Sequence, residues 1–66
     1  MQNKLRVIRA ELGMSQEDLA RLSGLSRATV NRVERGLHIP SGSTMMKLSR
    51  ALRRPATSIF LSLAAV

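Results

Sequence analysis

The sequence predicts an all-α fold: a compact five-helix domain, residues 1–66, with a helix-turn-helix at its centre. Three observations lead there. Apolar residues recur at three- and four-residue spacing, and no stretch alternates as a strand would. Gly13, Gly24, Gly36 and Pro55 cut the periodic stretches into short pieces. Residues 16–35 then hold two amphipathic segments separated only by Ser23-Gly24-Leu25, the spacing of two helices joined by a tight turn.

The first helix is predicted over about Asn3 to Leu12, where Leu5, Ile8 and Leu12 form one apolar stripe and Gly13 ends it. The second begins at Ser15 and runs from about Gln16 to Leu22. Ser15-Gln16-Glu17-Asp18 resembles a capping box, and Glu17 and Asp18 suit the positive end of the helix dipole. Small Ala20 allows close helix approach, and Gly24 can take the left-handed conformation of the turn. The third helix starts after Ser26, a good N-cap, and runs to about Arg35. Leu19, Leu25, Val30 and Val33 supply the shared core of this pair. A loop from Gly36 to Gly42 leads to a fourth helix over about Ser43 to Arg53, with Met45 or Met46, Leu48, Ala51 and Leu52 inward. Arg54 precedes proline and is pushed out of helical geometry. A fifth helix is predicted over about Ala56 to Leu63.

Charge narrows the class of partner. Eleven Lys and Arg stand against four Asp and Glu, a net charge of +7. That field favours a polyanion: nucleic acid, an anionic membrane or an acidic protein. The basic residues are spread over several helices rather than along one amphipathic face, which disfavours the membrane. No apolar run approaches the length of a membrane span, and the first residues lack a signal core, so a cytoplasmic protein is expected. Without cysteine there is no disulfide or thiolate metal site. His38 is the only histidine and is expected to be solvated, since zinc needs three or four ligands. One histidine and four scattered acids assemble no catalytic constellation, so neither enzyme nor cofactor is expected.

The third helix carries the chemistry that suits nucleic acid. At about 100° per residue, Arg27, Asn31, Arg35, Ala28 and Arg32 share one arc, with Val30 and Val33 nearly opposite. Arg can bind O6 and N7 of guanine with two hydrogen bonds, and Asn can bind N6 and N7 of adenine. Ala28 is small enough for close approach and could touch a thymine methyl. The bland alternative is a solvated basic face. Gln16 can bond a phosphate or brace a third-helix side chain, or be an ordinary polar first-turn residue. Lys47, Arg50 and Arg54 form a basic stripe on the fourth helix, read as solvation or as an additional phosphate or acidic-partner contact.

Ser15-Gln16-Glu17-Asp18-Leu19-Ala20, Ser23-Gly24-Leu25-Ser26, Thr29-Val30, Val33-Glu34-Arg35-Gly36 and Pro40-Ser41 together resemble the Cro/cI-type (XRE-like) helix-turn-helix family of bacterial and phage transcription regulators. The resemblance covers residue 4 to about residue 61. It implies a lambda-repressor-like DNA-binding domain that binds operator DNA, usually as a repressing homodimer. By position it assigns base contacts to Arg27, Ala28, Asn31 and Arg32, and backbone or supporting contacts to Gln16 and Thr29, to which the sequence's own charge pattern adds Arg35, Lys47 and Arg50. It also implies a structural ion pair between Arg9 and Glu34. Such regulators often carry a basic phosphate grip after the third helix, where this chain reads Leu37-His38-Ile39.

The tail from Ile59 to Val66 holds more apolar residues than one face of a short helix needs. A chain of this length buries little core alone. Phe60, Leu61, Leu63 and Val66, helped by Leu37 and Ile39, are therefore expected to bury against a second copy. The competing functional reading is an antitoxin-like or adaptor module whose main partner is an acidic protein.

Overall fold

Serines open three of the five helices and left-handed residues close four. In the computed structural model, which describes residues 1–60, the order is α1 (Leu5–Glu11), α2 (Gln16–Ser23), α3 (Arg27–Glu34), α4 (Gly42–Leu52) and α5 (Ala56–Ile59). Ser15, Ser26 and Ser41 are extended N-caps whose hydroxyls accept from the N–H of Asp18, Thr29 and Thr44. Asp18 completes the expected capping box by accepting from the Ser15 N–H at 3.0 Å. The Ser41 cap starts α4 at Gly42, before the expected Ser43. At α1 the capping role falls to Asn3, whose Oδ1 accepts from the Leu5 N–H at 3.1 Å, so the helix begins at Leu5, the first residue of the apolar stripe, two residues after the expected start at Asn3.

Four helix ends share one closure. Met14 N–H bonds to Arg9 C=O, Leu25 to Ala20, Leu37 to Arg32 and Arg54 to Ser49, at 2.9, 3.1, 3.1 and 3.2 Å. Each bond spans a residue with positive φ: Gly13, Gly24, Gly36 and Arg53. This is the six-to-one bond of a left-handed helix terminus, for which glycine is the usual residue. Arg53 adopts it at φ 54° without glycine's freedom. The Ser49 hydroxyl donates to the Arg54 carbonyl at 2.5 Å and holds that reversal, and Pro55 prevents the helix from continuing.

One apolar cluster joins all five helices: Leu5 and Ile8 of α1, Leu19 and Ala20 of α2, Val30 and Val33 of α3, Leu48 and Leu52 of α4, with Ile59 and Phe60. Leu25, Ala51 and Met45 are partly buried against it, and Met46 is exposed. Leu12 also lies outside the core, because α1 ends at Glu11 and Leu12 becomes its cap. The fifth helix is shorter than expected. Ile59 C=O accepts from the Lys4 N–H at 2.8 Å, and Phe60 follows in an extended conformation. That bond ties the exit of α5 to the entrance of α1.

The expected dimer role of Phe60 is corrected here. Its side chain is fully buried in this chain's own core, so it has no surface left for a second copy. The other tail residues assigned to that face, Leu61, Leu63 and Val66, lie outside the described residues.

The α2 cap has a consequence for acid stability. The Ser15 backbone N–H, then the Ser15 side chain and Arg21, hold the Asp18 carboxyl below its ordinary range. A lowered folded-state value means the contribution is present above the unfolded pKa and is lost as pH falls through the folded value. Ser15→Ala is expected to cost about 1 kcal/mol near neutral pH. Asp18→Asn should flatten the acid limb of a melting-temperature profile relative to wild type. An acid limb unchanged in Asp18→Asn would show that the cap does not contribute to it.

Candidate nucleic-acid interface

The two sides of α3 separate as its periodicity requires. Val30 and Val33 are 0% and 1% exposed and anchor the helix, while Arg27, Ala28, Arg32 and Arg35 are exposed on the outside. Asn31 is half-buried, and its Oδ1 accepts from the Gln16 Nε2 at 3.2 Å. The first residue of α2 thus braces the middle of the outer face of α3. A carbonyl oxygen has two lone pairs, and the amide NH2 of Asn31 is not used in this bond. Asn31 therefore keeps the donor and acceptor that an adenine edge needs. Thr29 is half-buried, its hydroxyl accepting from that of Ser26 at 2.9 Å, so it steadies the start of the helix.

Arg9 fixes the pitch of α3 from behind. Its Nε and Nη2 donate to the two carboxylate oxygens of Glu34 at 2.7 and 2.9 Å, and its Nη1 donates to the Met14 carbonyl at 2.8 Å. One guanidinium thereby joins α1, the turn before α2, and the end of α3. The planar fork matches the carboxylate, and the hydrogen bond to Glu34 raises the Arg9 pKa against the opposing effect of burial. The Glu34 side chain is only 5% exposed, so its charge faces Arg9 rather than solvent.

Two shallow depressions lie along this face. One is lined by Arg9, Ser15, Gln16, Glu17 and Arg27. The other is lined by Arg6, Arg9, Gln16, Asn31, Glu34 and Arg35. The structure thus brings Gln16, Asn31, Arg27 and Arg35 onto one surface. Lys47 and Arg50 are exposed on α4 and line neither depression. Arg54 leaves the expected basic stripe, pairing with Glu11 at 3.6 Å. Both partners are well exposed, so this pair adds little stability.

Leu37 and Ile39 are 60% and 72% exposed beside the end of α3. His38 between them is half-buried rather than solvated, with a buried Nδ1 that has no partner among the described residues. The alternation of the loop turns its neighbours outward and His38 inward. Two positions were not singled out from the sequence. Asn3 donates from Nδ2 to the Val33 carbonyl at 2.7 Å, tying the start of the chain to the end of α3. An asparagine just ahead of an apolar stripe is a capping signal that could have marked it. Arg6 on the rim of the second depression gave no such signal, because its neighbours there come from distant segments.

Among the described residues no group of His, Cys, Asp and Glu could hold a metal ion, and no helix is long and apolar enough to cross a membrane. A helix-turn-helix family model matches residues 5–59. The chain is 35% identical over 60 residues to an uncharacterized HTH-type transcriptional regulator of Bacillus subtilis, YgzD, covering 91% of each chain. It is 36% identical over 61 residues to another such regulator of Methanocaldococcus jannaschii, covering 92% of each. Among solved structures it is similar to the restriction-modification controller protein C.AhdI from Aeromonas hydrophila, with TM-score 0.79 and 44% identity over 83% of both chains. It is also similar to a hypothetical transcription factor from Neisseria, NHTF, with TM-score 0.78 and 38% identity, covering 83% of this chain and 62% of that one.

Proposed function

The chain belongs to the helix-turn-helix family of transcriptional regulators, non-enzymatic DNA-binding proteins, and we propose that it is a sequence-specific repressor acting as a homodimer on an inverted-repeat operator in the cytoplasm. The observation that carries this reading is the two-sided α3, with Arg27, Ala28 and Arg32 outward and Asn31 braced by Gln16. These four α3 side chains read base edges in the major groove, each good contact discriminating by about 1–3 kcal/mol. Gln16, Thr29, Arg35, Lys47 and Arg50 support the readers or meet the DNA backbone. Arg9 and Glu34 hold the reading helix at its height.

Exposed Leu37 and Ile39 support a dimer contact at the end of α3, to which Leu61, Leu63 and Val66 would add. Two copies would set their reading helices about 34 Å apart, one turn of the duplex. Occlusion of a promoter then gives repression. The likeness to a restriction-modification controller protein supports a regulatory role over an adaptor for an acidic protein.

Selection from random DNA duplexes, read by sequencing, tests the proposal. It is expected to return an inverted repeat whose half-sites lie one helical turn apart. Recovery of sequences with no shared motif would contradict it.

A further inference from the structure

We propose that Arg6 and Arg35 together clamp one backbone phosphate of the bound DNA, at the depression between α1 and the end of α3. This rests on the DNA-binding reading above but assigns a position that α1 contributes. The depression is lined by Arg6, Arg9, Gln16, Asn31, Glu34 and Arg35. Two of its four charges cancel. The Glu34 carboxylate is bound through both oxygens by Arg9, whose remaining bond goes to the Met14 carbonyl.

What remains is Arg6 and Arg35, both exposed and neither engaged in a side-chain hydrogen bond or ion pair among the described residues. Two unneutralised guanidiniums on one concave surface repel each other unless an anion sits between them. A phosphodiester suits that position, since guanidinium forks match phosphate oxygens. The occupant follows from the setting. The rim is continuous with the Gln16–Asn31 pair, which stands on the base-reading face. The strand that walls the major groove must therefore pass it. Arg35 meets that strand from the C-terminal end of α3 and Arg6 meets it from α1, while Asn3 and the Arg9–Glu34 pair hold the two elements together.

The test compares wild type, Arg6→Ala and Arg6→Lys on the selected operator and on a random duplex of equal length. Arg6→Ala is expected to weaken both by the same factor and leave their ratio unchanged. Its slope of log affinity against log salt should be shallower by about 0.9 per copy bound, so that between about 50 and 200 mM salt it loses about threefold less affinity per copy than wild type. Arg6→Lys should restore the slope, since the charge returns. Neither variant should melt below wild type, because Arg6 is exposed and bonded to nothing described.

An unchanged slope and affinity in Arg6→Ala would overturn the clamp. If Arg32→Ala still lowered the operator-to-random ratio in the same assay, the base-reading proposal would survive that loss. A lowered ratio in Arg6→Ala would make Arg6 a base reader and also overturn the clamp. Wild type that binds neither duplex would remove both proposals together.

Discussion

Glu34→Ala is expected to lower the unfolding free energy by about 3–5 kcal/mol, the effect of removing one member of a buried ion pair. The size follows from what is left behind. The Arg9 side chain is 15% exposed and loses both carboxylate oxygens, at 2.7 and 2.9 Å, keeping only the Met14 carbonyl. A domain of this length has about 3–10 kcal/mol in total, by the usual 0.05–0.15 kcal/mol per residue. The variant should therefore sit at or beyond the edge of folding. The pair's net worth is smaller than this loss, since replacing both partners by apolar residues of similar volume is often neutral. A double variant, Arg9→Met with Glu34→Leu, should recover much of the stability. Urea unfolding of wild type and the two variants checks both statements, and a loss below about 1 kcal/mol in Glu34→Ala would place the pair among ordinary surface pairs.

Phe60→Ala is expected to cost about 3–5 kcal/mol, the range for truncating a buried aromatic. Phe60 is the largest fully buried side chain among the described residues, and it lies in the cluster that unites the helices. The sequence reading placed it on a dimer face, and the two placements make different predictions. A core residue destabilises the folded chain by the same amount at every protein concentration. An interface residue acts through association, so its effect grows with concentration. Urea midpoints at two concentrations a hundredfold apart separate them. A Phe60→Ala loss that vanishes at the lower concentration would restore the interface assignment.

What was legible in the sequence was local chemistry. Ser15 and Ser26 as caps, and Gly24 and Gly36 as turn residues, depend on neighbours within five positions, and the structure places each as expected. The opposition of Val30 and Val33 to the arginines of α3 follows from periodicity alone. The misplaced features depend on residues far along the chain. The end of α5 is set by a backbone bond from Lys4 to Ile59, and the burial of Phe60 by a core drawn from all five helices. Arg53 carries a left-handed conformation that residue type would assign to glycine. Arg54 belonged to a basic stripe by spacing and to Glu11 by geometry. Arg9 with Glu34 was implied by family resemblance, and their separation of 25 residues gave local pattern no access to it.

In the proposed complex the outer face of α3 reads bases while other cations hold the backbone. The most direct measurement is the ratio of operator to random-duplex affinity for Arg32→Ala beside Lys47→Ala. Loss of one bidentate contact should lower the ratio by about 5- to 150-fold in Arg32→Ala, the equivalent of about 1–3 kcal/mol. Lys47→Ala should weaken both duplexes alike and leave the ratio where it was. Equal losses on operator and random DNA in Arg32→Ala would show that this face does not read bases.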